Sequence, residues 1–248
     1  MTEQLPRTAV MLAGGLGSRL APYTAIIPKP LVPIDRESIA EILLAQLAHG
    51  GIERVIVSIG YLGHLIQAVL GDGARYGLEI LYQREEKPLS TVGPLWLVEP
   101  LLPENFLVLN GDVLSDIDFA ALFSAHAHSQ HTVTVATYSK QTKIDLGVLM
   151  TDDDRAVIGF VEKPTYSHLV SMGVYAMNRK VLQYFASGQP FGFDQLMLAM
   201  LAARDPIGTF DWSHGRWLDI GRPADFATAQ ETFRAERHLY MPWETTRE

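Results

Sequence analysis

Between Gln4 and Ile34 the chain has no acidic residue but three cations, Arg7, Arg19 and Lys29, within a protein whose net charge is -8. The same stretch holds Gly14, Gly15 and Gly17. Glycines present backbone N–H groups without Cβ obstruction, so a glycine turn followed by cationic side chains can wrap phosphates. Lys29 stands between Pro28 and Pro30. Two prolines with fixed φ position a lysine, and a merely solvated surface charge needs no such positioning. Charge also gathers at the ends of apolar runs. Phe106-Leu107-Val108-Leu109 empties into Asn110-Gly111-Asp112, and Trp217-Leu218 into Asp219. Each aspartate reads as a turn cap or as a hard oxygen ligand for a divalent cation. Glu162-Lys163-Pro164, in which proline fixes the chain just after a charged pair, reads as a surface ion pair or a binding element. Asp116 and Asp118 read as caps of a helix starting at Phe119. His126, His128 and His131 do not share one helical face and read as a solvated helix terminus.

The elements that must position these residues follow from hydrophobic pattern. Val10-Met11-Leu12 is a buried-strand run ending in the glycine turn. Ser38 with Glu41 forms a capping box for a helix through Ile39, Ile42, Leu43 and Leu47, closed by Gly50-Gly51. Strands are then expected at 54–59, 78–82 and 106–109, separated by helices at about 62–70 and 94–102. Continuous apolar strands alternating with helices predict a parallel sheet covered on both faces, with ligands beyond the carboxyl ends of its strands. After a helix at 119–126 and an alternating run at 132–138 the texture changes to short strands, 147–150 and 157–161 about a polar turn and 173–177, followed by helices at 194–203 and 224–234. The fold class expected is α/β: a Rossmann-like, mainly parallel but mixed sheet flanked by helices on both faces, with extra short strands in the second half.

Composition sets limits on function. With 248 residues and 48% hydrophobic positions the chain can bury a sizeable core. Its acidic balance argues against binding nucleic acid or a membrane surface by bulk electrostatics. The absence of cysteine excludes disulfides, thiolate metal sites and cysteine nucleophiles, and no HExxH pair is present. No run of eighteen apolar residues and no signal-peptide pattern appears, so a cytoplasmic location is expected. Two common phosphate loops are ruled out. Gly17-Ser18-Arg19 lacks the P-loop lysine, and Leu20 stands where a dinucleotide fingerprint needs its third glycine, with Pro22, Pro28, Pro30 and Pro33 breaking the helix that should follow. Asp35 lies near the place of the ribose-binding acid, but without that helix it is a weak match.

Leu12-Ala13-Gly14-Gly15-Leu16-Gly17-Ser18-Arg19-Leu20, with Pro22, Thr24 and Pro28-Lys29-Pro30-Leu31, resembles the signature of the sugar-1-phosphate nucleotidyltransferases. The resemblance continues, in the family's order, through Leu109-Asn110-Gly111-Asp112, Glu162-Lys163-Pro164, Gly173-Val174-Tyr175 and Trp217-Leu218-Asp219-Ile220-Gly221. It implies one nucleotidyltransferase domain over 1–248, with a nucleotide-binding half at about 1–118 and a sugar-phosphate-binding half at about 119–248. By this resemblance Arg19, Lys29 and Asp112 are catalytic, and Leu12, Ala13, Gly14, Gly15, Gly17, Ser18 and Arg19 hold the nucleotide together with Glu85, Ser90, Thr91, Asn110 and Gly111. Asp112 and Asp219 would ligate Mg²⁺. Lys163 would grip the phosphate of the sugar phosphate and Glu162 the sugar hydroxyls, with Gly147 and Ser171 alongside. Ser171 stands where the family often has Asn, and Ser90 where it usually has Gly.

The reaction implied needs no general base, because a sugar-1-phosphate is already an anion able to attack an α-phosphorus, and the charged set only positions and neutralises phosphates. Glu85 lies where uridylyl and thymidylyl members often carry Gln. A carboxylate can accept from both N1–H and the exocyclic amine of guanine, which favours GTP. The expected partners are therefore a nucleoside triphosphate and a mannose- or manno-heptose-type sugar-1-phosphate, with a homodimer as candidate assembly. A uridylyltransferase acting on a hexose- or amino-sugar phosphate, an inactive nucleotide-sugar-binding regulator and an NAD(P)-binding oxidoreductase are the competing readings.

Overall fold

The strands of the first half are apolar on consecutive residues, so each must be covered on both faces, and that requirement organises the molecule. The computed structural model of the chain describes residues 6–17, 20, 22–218, 220 and 223–246. In chain order its elements are β1 (Thr8–Ala13), α1 (Ile39–His49), β2 (Arg54–Ile59), α2 (Gly63–Leu70), β3 (Glu79–Arg84), β4 (Asn105–Asn110), β5 (Leu114–Ser115), α3 (Phe119–Ala127), β6 (Val133–Lys143), β7 (Val148–Thr151), β8 (Val157–Val161), β9 (Thr165–Asn178), α4 (Phe193–Ala203), β10 (Ile207–Asp211), β11 (Trp217–Leu218), α5 (Pro223–Ala235) and α6 (Arg237–Tyr240).

Seven strands form one sheet in the order β10-β6-β9-β4-β1-β2-β3. β1, β2, β3 and β4 are mutually parallel, as are β6 and β10, while β9 runs antiparallel to both β4 and β6. The expected mixed, mainly parallel sheet is therefore observed. Alternate residues of β1 serve the two faces: Ala9, Met11 and Ala13 pack into the layer of α1, α2, α3 and α5, and Val10 into the layer of α4 and the 3₁₀ segment Gly93–Leu101. Pro100, which lacks a backbone donor, lies inside that segment. No helix of the described residues is long and apolar enough to cross a membrane.

The Ser38 cap forms as read: Ser38 N donates to Glu41 Oε2 at 2.8 Å and Glu41 N to Ser38 Oγ at 3.4 Å. Asp118 caps α3 by accepting from Ala121 N at 2.9 Å. Asp116 does not. Its Oδ1 accepts from Trp212 Nε1 at 2.6 Å and Arg216 N at 2.7 Å, tying the turn before α3 to the turn after β10. The reading of Asp116 as a cap is thus corrected, because a bond between positions a hundred residues apart wins over the local one.

The histidine cluster also needs correction. His126 is 2% exposed, with its ring nitrogen 2.8 Å from Thr134 Oγ1 of β6. Of the three only His128 is exposed, with its Nδ1 2.7 Å from Ser124 O. Burial, with His131 nearby, pushes the His126 imidazole down to about 4. Its folded value lies below the unfolded one, so the neutral ring contributes stability above about pH 6.5 that is lost as pH falls toward 4. The melting temperature is expected to drop by on the order of 5 °C across that window. Thermal unfolding of His126→Gln should lack this part of the slope, and an identical pH profile in parent and variant would count against it.

β9 is longer than expected, fourteen residues rather than 173–177. Its inner half pairs with β4 and β6 in the core, and its outer half continues with β6 alone beyond the sheet. The register between them shifts between Val135 and Thr137, opposite Tyr175 and Ser171, the mark of a β-bulge. In sequence between these two paired outer halves lies the antiparallel hairpin β7–β8, a separate two-stranded sheet.

Candidate active site

The parallel strands leave their ligand edge at the carboxyl ends of β1, β3 and β4, and β1 is the strand with neighbours on both sides reached in opposite directions, β2 and β4. A crevice at such a switch point is where open α/β sheets bind ligands. A cavity of about 410 Å³ opens there. The strand tip of β1 contributes Leu12, Ala13, Gly14, Gly15 and Gly17, the tip of β4 contributes Asn110, Gly111 and Asp112, and Lys29, Glu85, Ser90 and Thr91 complete the wall. Pro30 and Pro88 also line it. Their residue type carries no chemical signal, and only their place beside Lys29 and Ser90 could have flagged them.

Lys29 opens a 3₁₀ turn, Lys29–Leu31, entered from an extended Pro28. Its ammonium forms an ion pair with Asp112, the two side chains being 12% and 30% exposed. Gly17 has φ +62, and a Cβ there would lie 2.9 Å from Thr24 Cγ2 and 3.2 Å from Lys29 Cβ. Glycine is therefore required twice over, for the backbone conformation and for the approach of Lys29. Thr24 Oγ1 donates to Gly17 O at 2.9 Å and closes the turn. Gly15 faces open space.

Glu85 follows β3 and reaches across to the glycine turn. Its Oε1 accepts from Ser58 Oγ at 2.8 Å, and its Oε2 from Leu89 N at 3.0 Å. A Cβ on Gly14 would lie 2.5 Å from that Oε1. Ser58 is 1% exposed on β2; in the sequence it is one serine in an apolar run and carries no signal of its own. Ser90 holds φ +65, the left-handed region where glycine is at ease. Its neighbour Thr91 accepts from Phe193 N at 2.8 Å, anchoring this loop to the start of α4.

The proposed acceptor residues lie apart from this cavity. Gly147 and Glu162 meet on the β7–β8 hairpin, where a Cβ on Gly147 would be 3.2 Å from Glu162 Oε2 and 2.5 Å from the Phe160 ring. Lys163 is exposed at φ +46. Ser171 Oγ is 3.2 Å from Tyr175 Oη and accepts from Gly173 N at 3.2 Å. A Cβ on Gly173 would touch Asn110 Nδ2 at 2.6 Å, so it is Gly173, two residues on from Ser171, that packs against the crevice wall. Asp35 is remote in role: it pairs with Arg234 and Arg237. Ser18, Arg19 and Asp219 lie outside the described residues. β11 ends at Leu218, paired with Leu114 two positions beyond Asp112.

Among the described residues the cavity holds one cation, Lys29, and two carboxylates, Asp112 and Glu85. They form no cluster of three or more His, Asp or Glu fit to hold a metal by themselves. One carboxylate at a strand tip suits Mg²⁺, which binds through one or two carboxylates and completes its shell with phosphate oxygens and water.

A doubly covered, mainly parallel sheet with a glycine turn, a fixed lysine and a strand-tip carboxylate around one crevice defines an α/β protein with an open site at its switch point. The sequence profile of the nucleotidyl transferase family matches residues 8–236, and the chain belongs to that family. It is 35% identical over 226 residues, 88% of its length, to a mannose-1-phosphate guanylyltransferase of Mycobacterium tuberculosis. To a UTP–glucose-1-phosphate uridylyltransferase of Synechocystis it is 29% identical over 237 residues, 88% of its length. The chain spans about three fifths of the curated relatives it matches, 62% and 61% for these two. Among solved structures, HddC of Yersinia pseudotuberculosis superposes with a TM-score of 0.70 over 92% of this chain and 99% of that one, at 25% identity.

Proposed function

We propose that the chain transfers a nucleotidyl group from a nucleoside triphosphate to a sugar-1-phosphate, releasing pyrophosphate. The observation that carries this reading is the convergence of Lys29, Asp112 and the glycine turn on one crevice. A phosphate oxygen of the sugar-1-phosphate forms the new bond to the α-phosphorus, and the bond from that phosphorus to the bridging oxygen of the leaving pyrophosphate breaks. Both reactants are anions, so the barrier lies in bringing like charges into line. Lys29, released from Asp112, neutralises the triphosphate, with Arg19 as its partner. Gly15, whose backbone faces open space, allows the phosphates to approach. Asp112, with Asp219, would hold Mg²⁺, which when bound supplies positive charge to the phosphates. Gly147, Glu162, Lys163 and Ser171 receive the sugar phosphate, which requires the hairpin to face the crevice.

GTP is the donor we favour, and a mannose- or manno-heptose-type phosphate the acceptor. The Glu85 carboxylate, fixed by Ser58 and Leu89 N, is an acceptor pair suited to the two donors on guanine's edge. The similarity to a uridylyltransferase supports UTP with a hexose phosphate as the second reading. Pyrophosphate release across the common triphosphates and several sugar-1-phosphates, with Mg²⁺, tests both. Glu85→Gln is expected to lower the preference for GTP over UTP by about tenfold or more, since a site built to accept two hydrogen bonds discriminates by leaving groups unpaired. An unchanged ratio would remove Glu85 from base selection.

A further inference from the structure

Among the described residues of the crevice wall, Ser90 is the one side-chain-bearing position whose backbone lies in the left-handed region, at φ +65. A serine is strained there and a glycine is not. The neighbours on both sides hold the chain in that conformation. Before it, Leu89 N donates to Glu85 Oε2 and Phe191 N to Leu89 O, each at 3.0 Å. After it, Phe193 N donates to Thr91 Oγ1 at 2.8 Å and Val92 N to Phe191 O at 2.9 Å. The loop thus imposes the left-handed turn whichever residue occupies position 90, and the serine side chain adds only strain to the fold. Nor does the protein use its hydroxyl. Ser90 is exposed at the cavity and hydrogen-bonds to no described residue. A strained residue that presents an uncommitted hydroxyl to a binding crevice points to a contact made by the ligand.

We propose that the Ser90 hydroxyl donates a hydrogen bond to the 6-oxo oxygen of guanine, so that Ser90 and Glu85 together read the edge of the base. This rests on GTP being the donor, as read above. Guanine's edge presents an acceptor at O6, then donors at N1–H and the exocyclic amine. The Glu85 carboxylate, tied through Oε1 to Ser58 Oγ and through Oε2 to Leu89 N, can only accept, so it serves the two donors and leaves O6 without a partner. A donor is needed one step along the edge. Ser90 directly follows Leu89, whose amide grips the carboxylate, and its hydroxyl can donate. The other side-chain donors described in the cavity are engaged elsewhere: Lys29 with Asp112, Thr91 with Phe193 N, and Asn110 against Gly173. An unpaired O6 in a closed site would weaken the selection of guanine that two hydrogen bonds to Glu85 provide.

Two substitutions separate the strain from the contact. Ser90→Gly relieves the left-handed strain and adds freedom to the unfolded chain, effects of opposite sign, so the melting temperature is expected to hold or to rise by up to about 3 °C. Ser90→Ala keeps the strain and removes only the hydroxyl. Both should lower kcat/KM for GTP by about fivefold, with the loss falling on KM, as expected for one neutral hydrogen bond. With 6-thio-GTP, whose sulfur is a poor acceptor and whose N1–H and amine are intact, the same variants should lose less than about twofold. Equal losses on the two nucleotides would overturn the proposal, because the hydroxyl would then touch a part that both share. Unchanged kinetics would also overturn it, as would a clear fall in the melting temperature of Ser90→Gly, which would make the serine a structural residue. Glu85→Gln in the same assays tells this inference apart from the reading beneath it. If Glu85→Gln erodes the preference for GTP over UTP while the Ser90 variants change nothing, Ser90 alone drops out; if the parent chain has no preference for GTP, both fall.

Discussion

Lys29→Ala is expected to slow pyrophosphate release by about 10²-fold or more at saturating substrates, the usual effect of removing one preorganised charge from a phosphoryl-transfer site. The magnitude follows from how firmly the lysine is held. Pro28 and Pro30 restrict its backbone, the 3₁₀ turn fixes its direction, and Gly17 leaves room for its side chain and no more. None of that order has to be created when substrates arrive. Because the side chain is only 12% exposed and fills space against Gly17, the folded state of the variant should be checked by circular dichroism alongside the initial rates. Near-normal turnover in a folded Lys29→Ala would remove the lysine from the reaction.

Asp112→Asn is expected to move two readouts in opposite directions. Turnover with Mg²⁺ should fall by about 10²-fold, since a carboxamide is a poor ligand for a hard cation. Nucleotide binding without divalent metal should tighten by about fivefold, corresponding to ~1 kcal/mol for breaking a partly exposed ion pair. The crevice ties its lysine to its own carboxylate, so a triphosphate arriving without metal would have to compete with Asp112 for Lys29. Titration calorimetry in the presence of a chelator measures the second effect. Weaker metal-free binding by the variant would mean that the ion pair shapes the glycine turn and does not block it.

Much of this site could be read from the chain because its chemistry is local. The glycine turn, the proline-bracketed lysine and the carboxylate after an apolar run are each contiguous patterns, and the sheet brings them together simply by being parallel. What could not be read depends on long-range pairing. Asp116 and Asp118 look alike in sequence, and only the indole of Trp212 decides which of them caps α3. His126 looks solvated until β6 supplies Thr134 opposite it. The outer half of β9, Thr165 to Val170, mixes polar and apolar residues, since that part of the strand leaves the core, and so its pattern gave no strand signal. Ser58 acquires meaning only once β3 lies beside β2 and delivers Glu85 to it. The insertion of an antiparallel β9 between β4 and β6 is likewise invisible to hydrophobic pattern, which reports burial and not direction.

One continuous strand joins the neighbourhood of the crevice to the exposed outer ladder of β6 and β9. β9 packs Gly173 against Asn110 at one point and carries Leu169 and Tyr166 outward from the next, with the bulge falling between the two regimes. A strand stays stiff along its ladder and bends where the ladder is interrupted. The hairpin that carries Gly147 and Glu162 is thus tethered to the core sheet through a single ladder, interrupted next to Ser171.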